Sequence, residues 1–275
     1  MPMSHIIDYL RPGPLTEVDT AHAWALQDLP SDPTALCTAA EALVVRPAEA
    51  RALGLSARRL EEQNIRSVSG LVEVLTRLFS ARLHSPRPPS ARVVGTSRHV
   101  AVLACALLRA SGFAARVRAG FVTRHGHMTG DELWITEHWD SFERCWIRPL
   151  PVALRREATA GSSEPLGFLS GGEAWREYRK GQYTQATYDY TETDPTRCAL
   201  EISSTTVRDL AALCQVEVLP GDVWGRVAQV HEGRMPAAFD NLIDVTASVC
   251  ARGDATDLAR LFSTRALGVP QHMLS

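Results

Sequence analysis

The chain has 275 residues, enough for one large domain or two small ones with a buried core. Hydrophobic residues make up 45% and charged residues 22%, which excludes a disordered chain, and a net charge of −2 gives no electrostatic footprint for nucleic acid. The longest apolar run, Val100 to Leu108, falls far short of the roughly 20 residues that span a bilayer, so no membrane association is expected.

Met1 to Pro14 lacks a basic region followed by a long apolar stretch, and His272-Met273-Leu274-Ser275 carries no lipidation signal. A cytoplasmic location is therefore expected. Arg11-Pro12-Gly13-Pro14 is a breaker cluster, after which Thr16 is expected to cap a helix with apolar residues at Val18, Ala21, Leu26 and Leu29. Helical spacing continues from Pro33 to Val45 and from Ser69 to Leu83. Pro86, Pro88 and Pro89 stiffen a connector over Ser85 to Ser90, which ends the helical first third.

Gly95-Thr96-Ser97 leads into an apolar helix, Ser97 to Ala110, that stops at Gly112. Three strand-like runs follow, Ala114 to Val122, Leu133 to Trp139 and Cys145 to Ile147, with loops at Arg124 to Asp131 and Asp140 to Arg144. The last third reads as helix around Gly172 to Lys180, Thr205 to Gln215, Asp222 to Val230, Pro236 to Val249 and Thr256 to Phe262. Gly161-Ser162-Ser163 and Thr191 to Thr196 read as loops, and no internal repeat is present. The expected class is α+β, a buried helix against a small antiparallel sheet. It divides into an N-terminal helical segment (1–90), a core (91–155) and a C-terminal helical segment (156–275) that form one compact unit.

Six cysteines, Cys37, Cys105, Cys145, Cys198, Cys214 and Cys250, are widely spaced and form no Cys-x-x-Cys pair. They are expected to be buried, reduced thiols. Lys180, the only lysine among 29 basic residues, is expected at a solvated helix end.

The segment from Arg92-Val93-Val94-Gly95-Thr96-Ser97-Arg98 through Ala110-Ser111-Gly112-Phe113-Ala114-Ala115-Arg116 to Gly120-Phe121 resembles the core of bacterial transglutaminase-like proteins. The likeness continues in Glu137-His138-Trp139-Asp140, Gly172-Glu173-Ala174-Trp175, Arg208-Asp209-Leu210 and Leu219-Pro220-Gly221-Asp222-Val223-Trp224-Gly225, and so covers nearly the whole chain. The resemblance implies a papain-like fold. It also implies a triad: a cysteine where a buried helix begins, a histidine on the next strand and an aspartate on the adjacent one. A helix amino end favours thiolate, and the imidazole takes its proton. At the matching positions this chain carries Ser97, Leu133 and Leu150. All three groups are changed, so thiol-mediated acyl transfer is not expected.

Nearby residues do not restore the set. His138 and Asp140 lie at odd offsets from Leu133 and face the other side of a strand, whereas Glu137 faces the same side roughly 13 Å further along. His99 points elsewhere around the helix. A serine without a paired base is a poor nucleophile. The helix start at Thr96, Ser97 and Arg98 would favour an anion through free N–H groups and the dipole, although Ser97 as a simple cap explains the same residues.

Glu132 and Glu137, with Asp131 at the strand mouth, are the candidate bases, although an exposed turn explains Asp131 and Glu132 more simply. Glu173 and Asp222 match polar positions of the family and would hold a ligand's amino group, or else serve as caps and ion-pair partners. His125-Gly126-His127 offers two imidazoles without further ligands at metal spacing, so no metal and no cofactor is expected. Trp134, Trp139, Trp146, Trp175 and Trp224 are expected in the core or its walls.

These features leave three functions. The first is a biosynthetic enzyme in which a substrate amine displaces a sulfate or phosphate leaving group, as in aziridine closure in antibiotic pathways; this suggestion comes from the resemblance. The second is a catalytically inactive subunit that supports a partner protein. The third is a serine amidase or acyltransferase. The expected partners are an amine-bearing small molecule and, for the second function, a protein.

Overall fold

The computed structural model describes residues 7–124, 127–152, 166–181, 195–234 and 238–274. The His125-x-His127 imidazoles, the Gly161-Ser162-Ser163 loop and most of the Thr191 to Thr196 loop lie outside the described residues and side chains. The chain is a mixture of helices and a small sheet, and it divides into two compact units. One comprises Asp8–Val117 and Trp134–Val152; the other comprises Met1–Ile7, Arg118–Leu133 and Ala153–Leu274. The division cuts across the three segments expected from chain order because two long strands each contribute residues to both units.

In the first unit, α1 (Pro33–Ala42) begins with the Asp32 carboxylate accepting from the Ala35 N–H at 2.7 Å and with Pro33 in its first turn. Short helices α2 (Pro47–Ala52) and α3 (Ala57–Leu60) follow. The next helix, α4 (Val68–Leu78), is capped by Ser67 and buries Val68, Leu71, Val72 and Leu75 on one stripe. The central helix α5 (Ser97–Ala110) packs against α1 and α4. It is buried on nearly every side, which accounts for its unbroken apolar sequence.

Two-residue strands β1 (Val44–Val45) and β2 (Val93–Val94) pair in parallel and carry a small cluster of Val45, Ala50 and Val94. Thr16 caps no helix. A 3-10 helix over Thr20–Leu26 is capped by Asp19 instead, and the buried Thr16 hydroxyl accepts from Arg109 at 2.7 Å. The same guanidinium donates to the carbonyls of Tyr9 and Ala115, so one arginine ties the entering chain to the exit of α5.

The main sheet has the order β5-β4-β3-β6, where β3 is Ala115–Arg124, β4 is His127–Asp140, β5 is Cys145–Ile147 and β6 is Leu166–Ser170. The β4–β5 and β3–β6 pairs are antiparallel. β3 and β4 extend into the stretch expected as a loop, Arg124 to Asp131.

In the second unit, α6 (Gly171–Arg179), α7 (Pro195–Leu213) and α9 (Phe239–Arg252) pack on one another. Two shorter helices, α8 (Gly225–His231) and α10 (Ala255–Phe262), lie against α7. Gly171 is required there, since a Cβ would sit 2.6 Å from the Thr205 backbone. Arg118 on β3 meets Asp209 on α7 in a bidentate pair at 2.8 and 2.7 Å, with both side chains buried.

Among the described residues no helix is long and apolar enough to cross a membrane. Cys105, Cys198, Cys214 and Cys250 are buried, but Cys145 is exposed at the edge strand β5. Trp134, Trp175 and Trp224 are core residues, whereas Trp139 is 37% exposed. Lys180 ends α6, exposed and paired with Glu177.

Candidate functional site

Ser97 opens α5, half-buried, and its Oγ accepts the Trp134 N–H from β4 at 3.2 Å. A second contact runs from the Thr136 hydroxyl to the Ala101 carbonyl at 2.7 Å, so β4 lies along the first turns of the helix. Leu133, one residue before Trp134, is buried, and Leu150 lies half-buried just past β5. Thr96 is the cap, and its N–H donates to Nδ1 of His99 at 3.0 Å. Gly95 has to be glycine because a Cβ would lie 2.7 Å from the His99 ring.

His99 is fully buried. Its pKa is pushed down to about 3 by burial and then by Arg98, with the Ile65 carbonyl pulling weakly the other way. The neutral ring has its Nδ1 lone pair directed at Thr96, which leaves it unsuited to deprotonate Ser97.

Arg98, expected to bind an anionic ligand, turns inward. It is fully buried and donates to the carbonyls of Ile65 (3.3 Å) and Arg66. Its charge holds a loop to the helix, so any anion at this helix end would rely on backbone N–H groups.

Glu137, expected as a base, is 1% exposed and lies between Arg116 and Arg148, each donating through Nε at 2.7 Å. The Arg116 guanidinium also stacks 4.0 Å from the Trp146 ring centroid. Each carboxylate oxygen is thus taken up by a guanidinium donor. The role of Glu137 is to join β3, β4 and the segment after β5. Glu137→Gln is expected to cost about 1.5–3 kcal/mol of stability, read by urea denaturation, because both arginines lose their charged bond to the carboxylate.

Glu173 is the third residue of α6 and forms a capping box with Ser170: the Ser170 N–H donates to its carboxylate at 2.7 Å, and the Glu173 N–H to the Ser170 hydroxyl at 3.3 Å. Asp222 accepts the Leu219 N–H at 2.8 Å and closes the Leu219–Asp222 turn. Both carboxylates thus shape the backbone.

Glu132 and Asp131 sit elsewhere, at a cavity of about 360 Å³ in the second unit. The Glu132 carboxylate accepts from Arg208 Nε and Nη2 at 3.1 and 3.2 Å. Arg208, buried on α7, also donates to the Asp222 carbonyl and the Thr205 hydroxyl. Ser204, Glu201 and His231 complete the polar wall, and none of these three was singled out from sequence. The structure therefore sorts the candidates into separate groups: Thr96 and Ser97 at the start of α5, Glu132 with Asp222 around Arg208, and Glu137 and Glu173 each in local structural contacts.

No protein-family model, no characterised protein and no solved structure matches the chain.

Proposed function

We propose that the chain is a transglutaminase-like protein that has given up thiol chemistry and turns over a small amine-bearing substrate. The observation that carries this reading is the contact of Ser97 with β4. A hydroxyl at the start of a buried helix faces the strand one residue from Leu133, and the resemblance assigns a thiol and an imidazole to those two positions. In the reaction, the substrate nitrogen attacks the carbon that bears a sulfate or phosphate ester. The C–O bond breaks, the anion leaves with the electron pair, and the ammonium proton passes to a carboxylate or to water. Ring closure to an aziridine has this form. The orphan N–H groups and dipole at the helix start suit the departing anion. A serine amidase is less well supported, since His99 is neutral, buried and engaged by Thr96.

The test has two parts. In a Cys145→Ser background, Ser97→Cys is expected to gain an alkylatable thiol whose labelling midpoint lies below the ordinary value of about 8.5. The parent is expected to show no thiol-dependent glutaminyl cross-linking. In addition, 2-aminoethyl sulfate is expected to raise the melting temperature of the wild type and not of Ser97→Asp. Cross-linking activity in the pure wild type that alkylation abolishes would end this reading.

A second function, support of a partner protein, is favoured by the aromatic turn between β4 and β5, where Phe142 is 89% exposed beside Trp139. Co-elution with a partner that is lost in Phe142→Ser would favour it.

A further inference from the structure

A cavity of about 550 Å³ lies in the first unit, lined by α3, the 3-10 turn Glu61–Asn64 and the last turns of α4. Its apolar part is Ile65 together with Val74 and Leu78, which stand one turn apart on the same stripe of α4. One wall is locked. The Arg59 guanidinium donates to Glu62 and to the carbonyls of Ser90 and Arg92, and the other Glu62 oxygen accepts the Val94 N–H at 2.9 Å. These two charges offset each other and fix the turn against β2.

Arg58 and Arg77 are placed differently. Both line the cavity and are exposed, and neither has a hydrogen bond or an ion pair with any described residue. Arg77 follows Val74 by three residues, so it stands beside the apolar stripe and not on the opposite face of α4. Glu61, the other carboxylate of the cavity, accepts from Asn64 at 2.9 Å. Three guanidiniums against two carboxylates leave the cavity net positive, with two guanidinium forks open beside apolar side chains. A carboxylate suits such a fork, taking two parallel N–H bonds from one guanidinium. An alkylammonium would meet two unpaired like charges, and a neutral chain would leave both forks to water.

We propose that this cavity is a binding site for a carboxylate that carries an unbranched apolar chain, its head held by Arg58 and Arg77 and its chain laid along Ile65, Val74 and Leu78. The volume falls within the range of small-molecule sites. The inference does not rest on the transglutaminase-like reading, because no residue of α5 takes part.

The experiment is calorimetric titration of the full chain, at low ionic strength, with hexanoate, 1-hexanol and n-hexylammonium. Hexanoate alone is expected to bind, and Arg58→Gln and Arg77→Gln are each expected to weaken it by about fivefold, the upper end for an exposed ion pair. From butanoate to octanoate the affinity is expected to rise by about fivefold for each two carbons, since an open groove covers only part of each methylene. Both arginines are exposed, and unchanged melting curves will show that the variants fold. Binding of hexanol or hexylammonium as tight as that of hexanoate, no binding at all, unaltered affinity in either variant, or an affinity independent of chain length would each overturn the proposal. Because the titration reads only this cavity, its failure leaves the reading of Ser97 standing, and the Ser97 tests do not bear on it.

Discussion

Asp209→Ala is expected to lower the unfolding free energy by about 3–5 kcal/mol, the cost of removing one partner from a buried ion pair. Asp209 is fully buried, and each carboxylate oxygen takes one nitrogen of Arg118. The Ala119 N–H adds a third donor at 3.2 Å. Removing the carboxylate takes from a buried guanidinium and a backbone donor the oxygens that offset part of their desolvation. The loss comes from the desolvation that the carboxylate no longer offsets more than from the bond itself. Consequently Arg118→Met combined with Asp209→Leu should cost much less than the two single changes added together. Guanidinium denaturation of the four proteins measures this coupling. A cost below about 1 kcal/mol for Asp209→Ala would be within reach of an exposed pair, and it would rule out a dry contact.

What could be read from the sequence follows the range of the interactions that decide each feature. α5 and β5 fall where expected because their signals are local: a long apolar run opened by Gly95-Thr96-Ser97, and a strand set by its turn. β1 and β2 carry no such signal, since each is two valines whose pairing joins residues 49 positions apart in the register Val44 to Val93. β6 was missed because Leu166-Gly167-Phe168-Leu169-Ser170 is short and does not alternate; its partner, β3, lies some 45 residues earlier.

The site residues were harder to place for the same reason. Nothing local to Arg98 indicates that it turns to carbonyls at positions 65 and 66. An even strand offset places Glu137 on the correct face, yet the two arginines that occupy it come from positions 116 and 148. The Ser170 and Glu173 capping box was legible in principle as Ser-x-x-Glu before an apolar helix. The polar wall of the Arg208 cavity was not, because Glu132, Glu201 and His231 share no spacing and meet only through packing.

The acid limb of stability should be set in large part by His99. In the unfolded chain its imidazole takes a proton near the ordinary value of about 6.5, whereas in the folded protein burial first, and the adjacent Arg98 second, hold protonation off until about 3. Between these values the unfolded state binds a proton that the folded state does not. Stability therefore rises with pH in this window and is lost as pH falls, at up to about 1.4 kcal/mol per pH unit from this residue alone. Above about 6.5 both states are neutral and the contribution is flat. His99→Gln keeps a side-chain acceptor within reach of the Thr96 N–H and removes the titration. It is expected to cost stability at pH 7.5, yet to lose less on going to pH 5 than the wild type does. Urea denaturation at the two pH values measures the difference of differences. Equal losses in the two proteins would mean that His99 titrates normally in the folded state, and that water reaches the start of α5.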